Sequence, residues 1–347
     1  MKLSNLAVQP VRWLEDLNDK SIVLSARVRL ARNISGYIFP NRADETELNK
    51  VSKLAKETVR KILGRDATSL DMSELEQIDR NLLVERHLIS YDHASNCANR
   101  AVVFTSDEKV SVMINEEDHI RLQTLAGGNA TNEAWRQADK VDSDIGESLH
   151  YAFSEEFGFL TSCPTNVGTG MRCSVLVHVV GLCREELING MIANLAKLGF
   201  VTRGLYGEGT KVFGHLFQIS NQTTLGLDES SLIDKLRKIT KQLVEQELRA
   251  RENMLHDRIR IEDEVWRGYG VLSYARSIGY QEVMEILSLL RMARSVGINI
   301  PIDNLQMNNI MIRCQPAHLQ GIAGKEMNSS ERDVARAQMI RQLIQNP

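Results

Sequence analysis

Apolar residues recur at two different spacings along the first part of the chain, and each spacing predicts one kind of element. Val23–Leu30 reads as a strand. Three short apolar runs follow further on, at Ala101–Thr105, Val110–Asn115 and Ile120–Leu125. The gaps between these three runs are short, and parallel strands would need long crossover connections. The pattern therefore predicts neighbouring antiparallel strands.

Helical spacing follows two capping-box patterns, DETE at residues 44–47 and SELE at residues 73–76. The first pattern precedes a run of apolar positions that we expect to form a helix ending near Gly64. The second precedes Leu75, Ile78 and Leu82 and predicts another helix. A longer helix is predicted over about Asn132–Phe153, because alanine, valine, isoleucine and leucine recur there on one face.

Strands and helices alternate beyond residue 170. The predicted order is strand Cys173–Val180, helix Glu185–Leu198, strand Phe200–Tyr206 and strand Val212–Asn221. From Asp228 onward the spacing is helical, with interruptions expected at Gly268–Gly270 and Ile298–Pro301. We therefore predict an α+β fold, in which an antiparallel sheet flanked by helices forms a catalytic domain over residues 1–225. A helical C-terminal domain is predicted over residues 226–347.

Composition excludes several classes of protein. Of 347 residues, 43% are apolar and 25% charged, an ordinary globular balance. The net charge of −3 argues against general nucleic-acid binding. No apolar run is long enough for a membrane helix. The N-terminal segment lacks an apolar h-region and carries acids, which is unlike a secretory signal. The five cysteines show no CxxC spacing, which argues against a disulfide framework or a structural zinc site. We expect a cytoplasmic protein with no metal site of its own.

Three segments carry more polar residues than folding alone would require. They are NEEDHIR from Asn115, CPTNVGTGMR from Cys163 and RGLYGEG from Arg203. Each has a purely structural interpretation, namely a solvated acidic turn, a buried cysteine beside a turn and a flexible hairpin loop. RGLYGEG lacks the GK[ST] ending of a Walker A motif. The HRD and DFG signatures of the common protein kinases are also absent from the sequence.

Together with SARVRLAR from Ser25, these segments resemble, in the same order, the phosphagen (guanidino) kinase family. The resemblance spans at least residues 25–225. It implies transfer of a phosphoryl group from ATP to a guanidinium, with Mg²⁺ held mainly by the nucleotide phosphates and water. A guanidinium is a poor nucleophile because it loses its proton only near pH 12.5 or above, so a base must take that proton as the N–P bond forms.

The resemblance also implies roles for individual residues. It assigns the guanidinium to the carboxylates of Glu117 and Glu208, with Cys163 positioning the substrate electrostatically. His87 corresponds to the residue that stacks on adenine. The ATP phosphates are assigned to five arginines in signature positions, Arg27, Arg29, Arg121, Arg172 and Arg203.

Within the family, this sequence is most similar to the McsB-type protein-arginine kinases. Members that act on small molecules carry a helical domain ahead of the SxRVR segment, which here begins at Ser25, and about 120 residues follow the catalytic part. The resemblance implies arginine-bearing protein substrates, ATP-dependent proteolysis through a ClpC-type unfoldase, an McsA-type activator and a homodimer. The alternatives are a small-molecule guanidino (arginine) kinase and a phosphoarginine-binding adaptor with an inactive kinase domain.

The C-terminal segment SERDVARA matches an RDxxRA motif. In McsB-type kinases this motif is associated with phosphoarginine binding and allosteric activation. The matching residues are Arg332, Asp333 and Arg336. A structural interpretation stays open, because Ser330 and Asp333 have the spacing of a helix capping box, followed by a core-facing stripe.

Overall fold

A computed structural model describes residues 3–14, 17–18, 20–204 and 212–345. Glu208, one of the two predicted catalytic carboxylates, lies outside these described residues. The strands of the described part are β1 (Val23–Arg32), β2 (Thr68–Asp71), β3 (Ala101–Phe104), β4 (Val110–Ile114), β5 (Ile120–Gly127), β6 (Phe153–Ser154), β7 (Gly158–Phe159), β8 (Met171–His178), β9 (Phe200–Arg203) and β10 (Leu216–Asn221).

The α-helices alternate with these strands and then occupy the C-terminal part of the chain. They are α1 (Leu3–Val8), α2 (Glu45–Leu63), α3 (Gln77–Glu85), α4 (Tyr91–Ser95), α5 (Thr131–Leu149), α6 (Val180–Arg184), α7 (Ile188–Lys197), α8 (Glu229–Met254), α9 (Arg258–Tyr274), α10 (Tyr280–Ser295), α11 (Asn304–Arg313), α12 (Pro316–Ala323) and α13 (Ser329–Gln345).

Within the part that the structure describes, eight strands form one sheet in the order β2-β3-β4-β5-β1-β8-β10-β9. Strands β2 to β5 pair antiparallel in sequence. Hydrogen bonds join Ala31 to Gly170 and Ile22 to His178, so β1 and β8 also run in opposite directions. The predicted α+β fold, with an antiparallel sheet, flanking helices and a helical C-terminal region, is confirmed.

The described residues divide into two compact units. The first unit comprises residues 26–174 and 220–237. Within it, α5 packs on β5, and α2 packs on β3, β4 and α5. The side chains of Val51, Ala55 and Val59 are buried at helical spacing on α2. Asp44 accepts the Glu47 N–H at 2.8 Å at the start of this helix. The start therefore lies where the DETE pattern predicted it.

The second unit comprises the described residues of 3–25, 175–219 and 238–345. In it α9 packs against α10 and α13. The buried carboxylate of Glu247 on α8 accepts the backbone N–H groups of Gly181 and Leu182, each at 2.9 Å. Arg251, one helical turn later, donates to Glu247 at 2.7 Å, so the buried charge is paired.

Two predicted boundaries are wrong for identifiable reasons. Ser73 lies in a 3-10 turn, and α3 begins at Gln77 instead. The predicted break at Gly268–Gly270 does not occur, because α9 continues through both glycines. A Cβ at Gly268 would lie 3.1 Å from Ile286, so this glycine allows α9 and α10 to approach closely. Among the described residues, no helix combines the length and apolarity needed to cross a membrane.

Candidate active site

The NEEDH segment closes the hairpin between β4 and β5. Asn115 adopts a left-handed conformation (φ 56°), and its N–H donates to the His119 carbonyl. Its side-chain amide donates to the carbonyl oxygens of Leu48 and Asn99 at 2.8 and 2.9 Å. Asparagine tolerates this backbone region better than most residues. The conformation of the turn therefore favours asparagine at position 115, the first residue of the motif.

The three acids of this turn have different surroundings. Glu116 and Asp118 are buried, whereas Glu117 between them is exposed. Asp118 accepts Nδ2–H of Asn33 at 2.7 Å and the N–H of Ser162 at 2.6 Å. The interpretation as a solvated acidic turn is therefore wrong for two of the three acids. Those two anchor the turn, and the turn presents the Glu117 carboxylate.

The pKa values of Glu116 and Glu117 are displaced in opposite directions. Burial alone would raise the pKa of Glu116, but Arg121 and the Ser90 hydroxyl outweigh it and hold the pKa at about 2. Burial and the neighbouring charge of Asp118 raise the pKa of Glu117. Glu116 is therefore ionised at neutral pH, whereas Glu117 is the better proton acceptor of the two.

Four of the five predicted phosphate-binding arginines belong to the first unit. Arg27 and Arg29 are two residues apart on β1 and so face the same side of the sheet. Arg121 lies at the start of β5, and Arg172 at the start of β8. Burial, Arg121 and Arg172 lower the pKa of Arg27 to about 10. The same causes, together with Arg27, hold the pKa of Arg29 well below its usual range. Mutual repulsion of this kind favours binding of an anion.

A polar cleft joins these cations to the two sequence motifs. Its lining includes Arg29, Arg121 and Arg172, together with Asp118 of the acidic turn and Asn166 of the CPTN segment. The structure thus brings together residues that lie far apart along the chain. A cleft with three arginines suits a polyanionic ligand with several charged oxygens.

The CPTN segment lies beside the acidic turn. Cys163 precedes the 3-10 turn Pro164–Asn166, and its Sγ lies 3.0 Å from the Thr165 hydroxyl. The Glu117 carboxylate is within hydrogen-bonding reach of Cys163 and 3.4 Å from Nδ2 of Asn166. Since Cys163 is only half-buried, it is not the buried structural cysteine of the alternative interpretation. A thiol and a carboxylate therefore lie next to each other, close to Asn166 of the cleft lining.

A second segment, which contains Thr224, forms hydrogen bonds with the CPTNVGTG turn. The Thr224 hydroxyl lies 2.9 Å from the Thr165 carbonyl oxygen and 2.7 Å from that of Val167. Gly168 has a φ of +108°, and a Cβ there would lie 2.4 Å from the Thr224 carbonyl oxygen. Sequence reasoning missed the role of Thr224. Its position in the QISNQTTLG segment, which resembles the same family, was the available signal.

Arg32, the third arginine of SARVRLAR, has a structural role. It is buried, and its Nε and Nη2 donate to one oxygen of Asp142 at 3.0 and 2.8 Å. Its Nη1 donates to the carbonyl oxygens of Ala31 and Thr169. The guanidinium lies 3.5 Å from the centre of the Phe159 ring. Arg32 therefore fixes the end of β1 against the segment that follows the CPTN turn.

His87 follows α3 in a left-handed conformation (φ 61°) and is buried. Burial and the nearby Arg27 lower its pKa to about 3, so the imidazole is neutral at physiological pH. A neutral ring next to the arginine cluster suits stacking on a base better than binding of a phosphate.

The remaining predicted residues that the structure describes belong to the second unit. Arg203 ends β9 in the second unit and is half-buried. Arg332, Asp333 and Arg336 lie within α13, also in the second unit.

The capping-box interpretation of the RDVARA segment is wrong. Asn328 caps α13, because its Oδ1 accepts the Glu331 N–H at 3.0 Å and Glu331 in turn accepts the Asn328 N–H. Asp333 instead accepts Nη1–H of Arg336 at 2.5 Å. Arg336 is only 2% exposed and also donates to the carbonyl oxygens of Cys314 and Ile278. Arg332 and Asp333 are only half-buried.

Two family patterns match the chain. Residues 50–250 match the family described as ATP:guanido phosphotransferase, C-terminal catalytic domain, and residues 258–347 match the protein-arginine kinase McsB C-terminal domain. A protein-arginine kinase of Symbiobacterium thermophilum is 42% identical over 336 residues, which are 95% of each chain.

Two solved structures share the fold. The duplicated taurocyamine kinase of Schistosoma mansoni is 27% identical with a TM-score of 0.59, over 67% of this chain and 33% of that one. A lombricine kinase is 24% identical with a TM-score of 0.59, over 70% of each chain. From the family patterns and the near-full-length relative, the chain belongs to the protein-arginine kinases of the ATP:guanido phosphotransferase family.

Proposed function

We propose that this protein transfers the γ-phosphoryl group of ATP to arginine side chains of proteins. The observation that carries the proposal is the cleft lined by Arg29, Arg121 and Arg172, together with the Glu117–Cys163 pair beside Asn166, another residue of its lining. The arginines suit a triphosphate. A carboxylate beside a thiol suits a planar cation. Near-full-length similarity to relatives named protein-arginine kinase favours a protein substrate.

Glu117 is proposed to orient the guanidinium and to accept its proton. One N–H proton passes to the carboxylate while the nitrogen forms a bond to phosphorus and the bond to the ADP oxygen breaks. The raised pKa of Glu117 improves it as a base, and its exposure at the tip of the turn leaves it accessible to a side chain from another protein. Glu208 is proposed as the second carboxylate, and Cys163 as a group that positions the cation.

The arginine cluster is proposed to hold the triphosphate. The four guanidinium groups are half-buried, and burial together with the neighbouring arginines lowers the pKa of Arg27 and Arg29. Such a cluster has a positive excess, which a nucleotide anion would neutralise. This electrostatic fit supports Arg27, Arg29, Arg121 and Arg172 as ligands, with Arg203 added by family correspondence. Mg²⁺, bound by the phosphates and water, would supply further charge neutralisation. His87 is proposed to contact the adenine.

The finer parts of the proposal concern the biological setting. We propose a catalytic domain over residues 1–225 and a regulatory helical domain over 226–347. In the latter, Arg332 and Asp333 would contact phosphoarginine, while Arg336, buried beneath them, would hold Asp333 in place. Product binding there would activate the enzyme allosterically. We further propose a cytoplasmic role in protein quality control, with a ClpC-type unfoldase and an McsA-type activator as partners and a homodimer as the assembly.

The test compares substrates under identical conditions. The protein is incubated with ATP and Mg²⁺ and either casein or free L-arginine, and acid-labile, alkali-stable phosphate is measured. Phosphorylation of casein with a much higher kcat/KM than free arginine is the expected result. Efficient turnover of free arginine with casein inert would instead indicate a small-molecule guanidino kinase. Phosphoarginine binding without transfer to either would indicate an adaptor.

A further inference from the structure

An exposed apolar groove lies next to the CPTN turn, and Gly168 and Thr169 line it. Its walls are the β6–β7 hairpin and the segment that leads into α8. The side chains of Phe153, Phe157 and Leu225 line it and are 58%, 47% and 51% exposed. Single exposed apolar residues are ordinary, but three large ones along one groove form a patch of the kind that contacts another molecule. We call this surface the hairpin groove.

Backbone hydrogen bonds join the hairpin groove to the CPTN turn of the candidate active site. Phe159 and Gly168 bond to each other twice, at 2.8 Å from the Phe159 N–H and 3.3 Å from the Gly168 N–H. A Cβ at Gly158 would lie 2.6 Å from the Gly168 carbonyl oxygen, so the two backbones are in close contact. Gly168 belongs to the same turn as Cys163. A polypeptide whose arginine reaches Cys163 and Glu117 would therefore pass near the groove.

The rim of the groove is acidic. Glu156 and Glu229 line it, and Glu155 is exposed at the tip of the hairpin. Asp228 also lines the groove, but its carboxylate caps α8 by accepting the Ser231 N–H at 2.6 Å. No lysine or arginine lines the groove in the part of the chain that the structure describes. Carboxylates around an apolar surface complement a segment that carries both apolar and basic side chains.

We propose that the hairpin groove docks the part of a protein substrate that flanks the target arginine. The occupant is a polypeptide segment with one large apolar side chain a few residues from that arginine and with further basic residues. The apolar side chain covers Phe157 and Leu225, and the basic residues face Glu156 and Glu229. This inference rests on the proposed function and adds a substrate preference to it: arginines in apolar, basic segments are phosphorylated first.

The experiment uses blocked peptides that contain one arginine, with one leucine moved through successive positions on either side. A peptide with alanine in place of leucine is the reference. For the wild-type chain we expect a leucine at the preferred position to raise kcat/KM about tenfold, mainly through KM, since partial burial of one such side chain corresponds to this factor. In Phe157→Ala and Leu225→Ala this ratio should fall to near one. Leu198→Ala, which removes a leucine that is 58% exposed in the second unit, should keep it.

Charge is tested separately. An added lysine in the peptide should raise kcat/KM of the wild type at low salt, and Glu156→Lys should remove that gain, while Glu245→Lys on α8 should not. Because each readout is a ratio between two peptides for one variant, a general loss of activity does not mimic the result. A wild type that shows no leucine preference, or variants that retain it, would overturn the proposal.

Other outcomes separate the remaining explanations. If Phe157→Ala changes the oligomeric state in light scattering and leaves the leucine ratio intact, the groove is occupied by a second copy and docking of substrate is refuted. If the wild type phosphorylates no peptide or protein arginine at all, the proposed function itself fails. Arginine phosphorylation without a leucine preference refutes only the docking role.

Discussion

Replacing Glu117 by glutamine separates the proposed base from the acids that only support it. Glutamine keeps the size of the side chain and can still bond to Asn166, but it cannot accept the guanidinium proton. General base catalysis contributes on the order of 10² to 10⁴ in rate. We therefore expect kcat to fall by about 10² or more, which corresponds to about 2.7 kcal/mol of transition-state stabilisation. The Kd for ATP should change little, because arginines hold the phosphates.

Stability should respond in the opposite sense from activity. The folded-state pKa of Glu117 is raised, so above that pKa its ionisation disfavours the folded state. Glu117→Gln removes this unfavourable charge, and its melting temperature at pH 8 should equal or exceed that of the wild type. For the same reason, wild-type activity should fall as the pH drops through a value above the ordinary glutamate pKa, since the base must be deprotonated.

Glu116→Gln is the matched control, one residue away. The pKa of Glu116 is about 2, so this carboxylate stabilises the fold at neutral pH, and that contribution is lost as the pH falls from the unfolded value near 4 towards 2. Removing its charge leaves Arg121 without its buried partner and should cost about 3 kcal/mol of stability. ATP binding should weaken because Arg121 is no longer positioned.

The assays are initial rates at saturating casein and ATP, nucleotide titrations and thermal melts across pH. Glu117→Gln with kcat near the wild-type value would refute the assignment of the base. A large loss of stability in Glu117→Gln, comparable with that of Glu116→Gln, would show instead that Glu117 supports the turn.

Three further predictions concern the arginines and the C-terminal helix. Arg172→Lys and Arg203→Lys should recover only part of the activity lost in the alanine variants, because an ammonium cannot reproduce the fork geometry; full recovery in rate assays would contradict this. Arg32→Lys should lower the free energy of unfolding by about 3 kcal/mol, measured by denaturant titration, with an unchanged Kd for ATP. Asp333→Ala should lose phosphoarginine affinity in titration calorimetry, whereas Asn328→Ala, which removes the real cap, should cost about 1 kcal/mol of stability and keep that affinity.

Local sequence patterns were sufficient to predict several elements of the fold without any tertiary information. The helix α2 was predictable at both ends, because Asp44 caps its start and Gly64 follows its last residue. The runs that form β3, β4 and β5 are short, apolar and closely spaced, so their antiparallel pairing followed from chain geometry. The hairpin of β6 and β7 was not predicted, since strands of two residues carry too little periodicity to detect.

The motifs in the sequence determined the family and the residue types of the candidate site, because their order and spacing are specific. Only the tertiary structure showed that residues of the same motif have different surroundings and therefore different roles. Glu116, Glu117 and Asp118 are equivalent acids in the sequence, yet burial against Arg121 and Asn33 makes the outer two structural and leaves Glu117 exposed. These partners come from distant segments, and the desolvation and charge that they impose have no local signal in the sequence.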